Sequence, residues 1–170
     1  HLAAGCARSG AGLTLISTDY VFNGQSGIGY VEDGIRDPLN YYGLTKARAE
    51  EHVMKLATPW QVVRTSWLFG DGKVNFIKTI RRLLRERDTL RVVDDQTGCP
   101  TYVDDLALVL DFLVSGQRLG IFHATNGGTT SWYELAREVA RCLNTDPDRI
   151  IACPSTEYPT VAARPANSVL

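Results

Sequence analysis

Long apolar runs and an excess of charge are both missing from this chain of 170 residues. No apolar stretch approaches the ~18–20 residues that a membrane-spanning helix needs. The opening residues, "HLAAGCARSGAG", lack the apolar core of a signal peptide. The formal net charge is −1, from 18 Lys and Arg against 19 Asp and Glu. Binding to nucleic acid or to an anionic membrane usually requires a basic excess, so we expect neither partner.

Cysteine, histidine and methionine are scarce and scattered. No CxxC pair occurs, which favours reduced thiols in a cytoplasmic protein and argues against a metal site. The only methionine is Met54, and the chain opens on what resembles the end of a helix. We therefore expect the C-terminal two-thirds of a longer protein. The cysteines and histidines are Cys6, Cys99, Cys142, Cys153, His1, His52 and His123.

Apolar patterning predicts an α/β fold with a mainly parallel sheet. With 44% hydrophobic and 22% charged residues the chain can form an ordinary core. Short apolar, β-branched runs alternate with longer segments of helical periodicity, which is typical of parallel α/β proteins. The predicted strands are residues 13–18, 60–65, 90–93, 120–125 and 149–151, and the predicted helices are 41–56, 74–87, 102–114 and 131–143.

Polar residues before three of these helices are predicted to cap them. Asn40 and Thr101 are candidate N-caps, and Ser131 with Glu134 matches the S-x-x-E capping box. Between the first strand and Asn40 lies a polar segment of ~20 residues, which is too long for an ordinary connection and therefore predicts a functional loop.

Ligands of parallel sheets bind beyond the carboxyl ends of the strands. The segments after "LTLIS", "VVRT" and "FHAT" are therefore the first candidates for a site.

The stretch "NYYGLTK" places a tyrosine four residues before Lys46. Helical geometry puts Tyr42 on the same face as Lys46, whereas Tyr41 lies ~100° around the helix. Making a tyrosine a useful acid near neutral pH requires about 4 kcal/mol of phenolate stabilisation. One ammonium ~4 Å away supplies that much at an effective dielectric near 20. The spacing therefore favours Tyr42 as a general acid.

Six blocks follow one another along the chain: "LTLISTDYVFNG", "DPLNYYGLTKARAEEHV", "VVRTSWLFG", "NFIKTI", "DDQTGCPTYVDDLA" and "GIFHATNGGTTSWYELA". Together they resemble the extended short-chain dehydrogenase/reductase family, most closely its dTDP-4-dehydrorhamnose reductase branch. The resemblance implies a Rossmann-like sheet with a smaller substrate-binding lobe. Residues 1–66 and 100–125 would belong to the nucleotide-binding domain, and residues 67–99 and 126–170 to the lobe.

The resemblance also implies a reaction, in which NADPH or NADH reduces the C4 keto group of dTDP-4-dehydro-L-rhamnose to give dTDP-L-rhamnose. Tyr42 would donate the proton to the carbonyl oxygen. Lys46 would stabilise its phenolate and hold the nicotinamide ribose, and Thr18 would hydrogen-bond the same oxygen. Substrate contacts would include Thr18, Asp19, Tyr20, Trp67, Asn75 and Arg164, and the nicotinamide end would lie near Ser17, Tyr42, Lys46, Thr65 and Ser66.

Other interpretations of these residues stay open. Trp67 is also typical of a core aromatic, Asp19 of a loop cap, Asn75 of a helical first turn and Arg164 of a solvated side chain. Related 4,6-dehydratases place Asp-Glu after the threonine, whereas here Asp19 precedes Tyr20, which favours reduction. A nucleotide-sugar epimerase, a non-catalytic regulatory subunit like that of methionine adenosyltransferase, and a homodimeric state also remain open.

A phosphate-binding GxxGxxG loop does not occur in the sequence. The glycines of residues 24–29 precede no predicted helix, and those of residues 5–12 precede a strand instead of following one. We therefore expect the adenosine and phosphate half of the cofactor site to lie upstream of this chain.

Overall fold

A computed structural model describes residues 1–72 and 74–170. The helices are α1 (Leu2–Ser9), α2 (Tyr41–Met54), α3 (Phe76–Glu86), α4 (Val103–Ser115) and α5 (Trp132–Cys142). The strands are β1 (Leu13–Thr18), β2 (Trp60–Thr65), β3 (Leu68–Phe69), β4 (Leu90–Val93), β5 (Thr97–Gly98), β6 (Thr101–Tyr102), β7 (Gly120–His123), β8 (Thr130–Ser131) and β9 (Ile150–Cys153).

A three-stranded parallel sheet in the order β1-β2-β7 forms one of the two main parts of the fold. Thr18 pairs in register with Thr65, so β1 and β2 end at the same level. Their apolar side chains build a core with α4, as alternating strands and helices require. This arrangement confirms the predicted Rossmann-like, mainly parallel α/β fold. The buried members of this core are Val63, Leu106, Leu113 and Ala124.

A second core lies between α3, α5 and the parallel pair β4-β9. Apolar residues at helical spacing on α3 and α5 turn one face of each helix inward. Phe76 and Trp132 pack against the edge of this core. Its buried members are Ile80, Leu84, Leu90, Val92, Ala136, Val139, Ala140 and Ile150.

Two-residue ladders lie beside these cores. β3 pairs with β6 in parallel, and β5 pairs with β8 antiparallel. Thr97 also bridges to Asn167, which holds the C-terminal segment against β5. These ladders place the segments that follow β2 next to the start of α5.

Two predicted helix starts are confirmed and two are wrong. Asn40 accepts a hydrogen bond from Gly43 N at 2.8 Å, and Ser131 accepts one from Glu134 N at 3.1 Å. Thr101 does not cap a helix, because it lies in β6 and α4 follows Tyr102.

The second wrong start is that of the helix predicted over residues 74–87, because Val74 is exposed and stays outside it. Asn75 caps this helix instead and accepts a hydrogen bond from Lys78 N. Within residues 1–72 and 74–170, no helix is both long enough and apolar enough to cross a membrane.

Candidate active site

A cleft of about 360 Å³ opens beyond the carboxyl ends of β1 and β2. Thr18 comes from the end of β1, and Tyr42 and Lys46 come from the first turns of α2. The cleft thus brings together three residues that the sequence had predicted as one site. Its lining comprises Ile16, Ser17, Thr18, Asp19, Tyr20, Tyr42, Lys46, Thr65, Ser66, Trp67, Leu68, Trp132 and Arg164.

The N-terminal turn of α2 presents Tyr42 to the cleft. Tyr41 is 78% exposed and does not line it, whereas the ring of Tyr42 lies edge-on to Tyr20 with centroids 5.8 Å apart. Gly43 permits this approach, because a Cβ at that position would collide with the carbonyl oxygen of Tyr20. Asn40 fixes the start of the helix by capping Gly43 N.

Lys46 reaches from α2 across to the first strand. Its Nζ donates a hydrogen bond to the carbonyl oxygen of Ile16 at 2.7 Å. An ammonium group carries three donors, so two remain for a ligand in the cleft. The lysine is therefore both anchored to β1 and able to bind.

Asp19 is the buried carboxylate of the cleft. Its side chain accepts a hydrogen bond from the Thr18 hydroxyl at 2.8 Å, and that hydroxyl accepts one from Tyr20 N at 3.3 Å. Within the described residues Asp19 Oδ2 has no hydrogen-bond partner. Burial raises the pKa of Asp19 to about 6. This carboxyl group can therefore exchange a proton near neutral pH and accept a hydrogen bond from a ligand.

The end of β2 contributes two hydroxyl groups, of which one is hydrogen-bonded and the other is not bonded to any described residue. Ser66 donates to the carbonyl oxygen of Cys99 at 2.6 Å. Thr65 is buried, and its hydroxyl has no partner in the described part of the chain. Beside it, the Ser17 hydroxyl donates to Glu50 on α2. Thr65 is thus the hydroxyl with spare hydrogen-bonding capacity at this end of the sheet.

Trp67 stands at the rim of the cleft in an unusual conformation. Its φ of 47° lies in the left-handed region. Its indole stacks on Trp132 with centroids 3.5 Å apart and planes 7° apart. Gly98 faces its edge, where a Cβ would lie 2.5 Å from Cε2.

A second cleft of about 430 Å³ adjoins the first and shares Trp132 and Arg164 with it. Asn75 lines this second cleft, and its side chain donates to the carbonyl oxygen of Gly70 while it caps α3. Arg164 is exposed between the two clefts. Burial raises the pKa of Tyr20, and the positive charge of Arg164 opposes that rise.

Trp132, Glu50 and Arg64 are parts of this region that the sequence did not single out. The capping box at Ser131 predicts the start of α5, and therefore predicts that Trp132 is its first residue. Its position beside Trp67 depends on the β5-β8 ladder, which is two residues long and has no periodic signal. Glu50 stands four residues after Lys46 on α2, a spacing that would have suggested a shared face.

Curated proteins that are named as reductases of dTDP-linked sugars resemble this chain over its whole length. A dTDP-4-dehydrorhamnose reductase of Streptomyces griseus is 43% identical over 176 residues, which cover 100% of this chain and 58% of that protein. A dTDP-4-keto-6-deoxy-D-glucose reductase of Streptomyces niveus is 42% identical, over 100% of this chain and 59% of that protein. The chain thus spans about three-fifths of the length of these relatives.

Solved structures of dTDP-4-dehydrorhamnose reductases also resemble this chain over nearly its whole length. The dTDP-4-dehydrorhamnose reductase of Bacillus anthracis in complex with NADP matches with a TM-score of 0.94 and 39% identity, over 99% of this chain and 59% of that chain. The orthologue from Clostridium acetobutylicum matches with a TM-score of 0.95 and 41% identity, over 99% and 60%. The resemblance expected from the sequence is confirmed. The model of the RmlD substrate binding domain family matches residues 1–170, and the chain belongs to that family.

Proposed function

We propose that the full-length protein containing this chain uses NADPH or NADH to reduce the C4 keto group of dTDP-4-dehydro-L-rhamnose, giving dTDP-L-rhamnose. One observation carries the proposal: Thr18, Tyr42 and Lys46 line a single cleft at the carboxyl ends of two parallel strands. A relative that is 43% identical is named dTDP-4-dehydrorhamnose reductase, which supports the same reaction. A relative that is 42% identical is named dTDP-4-keto-6-deoxy-D-glucose reductase, which supports the reduction of a dTDP-linked 4-keto sugar.

In this reaction the residues of this chain supply the proton and hold the group that donates it. The Tyr42 hydroxyl donates the proton to the C4 carbonyl oxygen, and the ammonium of Lys46 stabilises the phenolate that remains. The Thr18 hydroxyl, which donates to Asp19 in the structure, rotates to hydrogen-bond the same oxygen. When bound, the reduced nicotinamide supplies the hydride to C4.

The residues present fit the nicotinamide end of such a cofactor. Thr65 offers a buried hydroxyl without a partner among the described residues, and Lys46 keeps two donors beyond its bond to Ile16. Ser17 and Ser66 act by holding the strand ends through Glu50 and Cys99.

The second cleft suits the nucleotide part of the substrate. The sugar would lie against Asp19, Tyr20 and Trp67, and Arg164 stands where the two clefts join. A guanidinium group suits a diphosphate because it donates two parallel hydrogen bonds. Asn75 contributes by capping α3 at the wall of the second cleft.

Three further features belong to the same proposal. Residues 67–99 and 126–170 form the substrate lobe, which the separate core around α3, α5 and β4 supports. The four free cysteines suit a reducing cytoplasm. We also propose a homodimer, which light scattering of the full-length protein would test by giving twice the monomer mass.

The reaction is tested by following NADPH and NADH absorbance with the purified full-length protein and dTDP-4-dehydrorhamnose. We expect stoichiometric oxidation of reduced nicotinamide and formation of dTDP-L-rhamnose. An epimerase would convert the sugar without net oxidation. A regulatory subunit would show no turnover and would instead change the activity of a methionine adenosyltransferase. Either of these two results would overturn the proposal.

A further inference from the structure

We infer that Trp132 is a positioning residue of the active site, which holds Trp67 in its left-handed conformation at the rim of the cleft. The inference deepens the proposed function and rests on it for the identity of the substrate. Trp132 itself belongs to the second core, so the stacked pair joins that core to the site at the end of β2.

The backbone of Trp67 requires outside support. A bulky side chain at φ 47° is unfavourable and persists only where its surroundings hold it. The carbonyl oxygen of Trp67 accepts a hydrogen bond from Thr101 N at 3.3 Å, and the preceding Ser66 hydroxyl is bound to Cys99. These bonds fix the backbone but leave the direction of the indole to its neighbours.

Two surfaces fix the indole of Trp67. Trp132 covers one face at a centroid distance of 3.5 Å, and Gly98 leaves space for the edge that carries Cε2 and Nε1. Gly98 lies in the antiparallel β5-β8 ladder, which pairs it with Thr130, and Trp132 is the first residue of α5, directly after β8. The short ladder thus places Gly98 at the edge of the Trp67 indole and the start of α5, with Trp132, on one of its faces.

Trp132 is itself held firmly. Its ring lies 4.6 Å from that of Phe76, and its neighbour Ser131 caps α5 while donating to Asp94 at 2.6 Å. Because Trp132 covers one face of Trp67, that face is closed to a ligand. Trp132, which also lines the cleft, therefore shapes it beside Trp67.

The test compares Trp132→Leu and Trp132→Phe in the full-length protein, with Trp60→Phe as the matched control. Trp60 is the first residue of β2, whereas Trp67 follows the other end of that strand. We expect Trp132→Leu to raise the KM for dTDP-4-dehydrorhamnose about tenfold, because the aromatic pair is lost. The KM for NADPH should stay unchanged, and Trp132→Phe should keep most of the sugar affinity.

Circular dichroism separates this inference from the proposed function, because it needs no turnover. Two stacked indoles give an exciton couplet, which should disappear in Trp132→Leu and in Trp132→Phe and persist in Trp60→Phe. If the wild-type protein showed no reductase activity, the proposed function would fail while the couplet still tested the stacking. A couplet that survives Trp132→Leu would overturn the inference, as would equal rises in both KM values.

Gly98→Ala provides a second route if Trp132→Leu does not fold. The added Cβ would collide with Cε2 and Nε1 of the Trp67 indole and displace the ring by its edge. We expect the couplet to weaken and the KM for the sugar nucleotide to rise, with the KM for NADPH unchanged. A Gly98→Ala protein with a wild-type couplet and wild-type KM would count against the inference.

Discussion

Glu50 on α2 and Arg64 on β2 form a bidentate ion pair in which both side chains are almost completely buried. Arg64 Nε lies 3.0 Å from Glu50 Oε1, and Arg64 Nη2 lies 2.8 Å from Oε2. The Ser17 hydroxyl donates to the same carboxylate. The pair thus ties α2 to β1 and β2, one turn beyond Lys46 and directly before Thr65.

Removing Glu50 should destabilise the protein strongly. Glu50→Ala leaves the buried guanidinium of Arg64 without its counter-charge, which costs about 3–5 kcal/mol in the free energy of unfolding. The matched control is Glu86→Ala, because Glu86 pairs with Arg82 at 2.8 Å on an exposed face of α3. Exposed pairs contribute little, so the control should change the denaturant midpoint only slightly. Equal losses in the two variants would refute the assignment of Glu50 as a buried anchor.

Asp19 should make stability depend on pH. Its pKa is raised from 3.8 to about 6, so the folded protein binds more protons than the unfolded chain between these values. Wild-type protein should therefore lose stability relative to Asp19→Asn as pH rises from about 4 to about 7, by about 3 kcal/mol in total. Denaturant unfolding of both proteins across that range measures the difference. A difference that does not vary with pH would show that burial does not penalise this carboxylate.

Gly43 should tolerate no side chain. Gly43→Ala would push a Cβ against the carbonyl oxygen of Tyr20 and move the N-terminal turn of α2, which carries Tyr42. We expect a loss of about 1–3 kcal/mol of stability from overpacking, with lower kcat. Gly5→Ala is the control, because Gly5 lies in α1 and, among the described residues, no atom comes within 4 Å of an added Cβ. That variant should be as stable as wild type or slightly more stable. A Gly43→Ala protein with unchanged unfolding and kcat would contradict the close approach of α2 to Tyr20.

Local patterns predicted much of the fold. Strands β1, β2 and β4 have the bounds expected from their apolar, β-branched runs. Asn40 and Ser131 cap their helices as their side-chain chemistry indicates. The prediction that Thr101 caps a helix was wrong, because a hydroxyl residue before an apolar helix also suits a short strand. Here Thr101 lies in β6, which pairs with β3.

Long-range contacts could not be predicted in the same way. Arg64 meets Glu50 across 14 positions, and Trp132 meets Trp67 through the two-residue ladder β5-β8. Neither contact leaves a periodic signal in the sequence. Helical spacing did predict that Tyr42, and not Tyr41, faces the side of Lys46, and the two residues line one cleft.

Turnover of Tyr42→Phe beside Tyr41→Phe in the full-length protein tests the central claim most directly. The two variants remove the same hydroxyl from adjacent residues, one lining the cleft and one 78% exposed. If Tyr42 is the acid, Tyr42→Phe should lower kcat by about 10²–10⁴-fold with nearly unchanged NADPH affinity, while Tyr41→Phe keeps wild-type kcat. Wild-type kcat in Tyr42→Phe, or equal losses in both variants, would contradict the account.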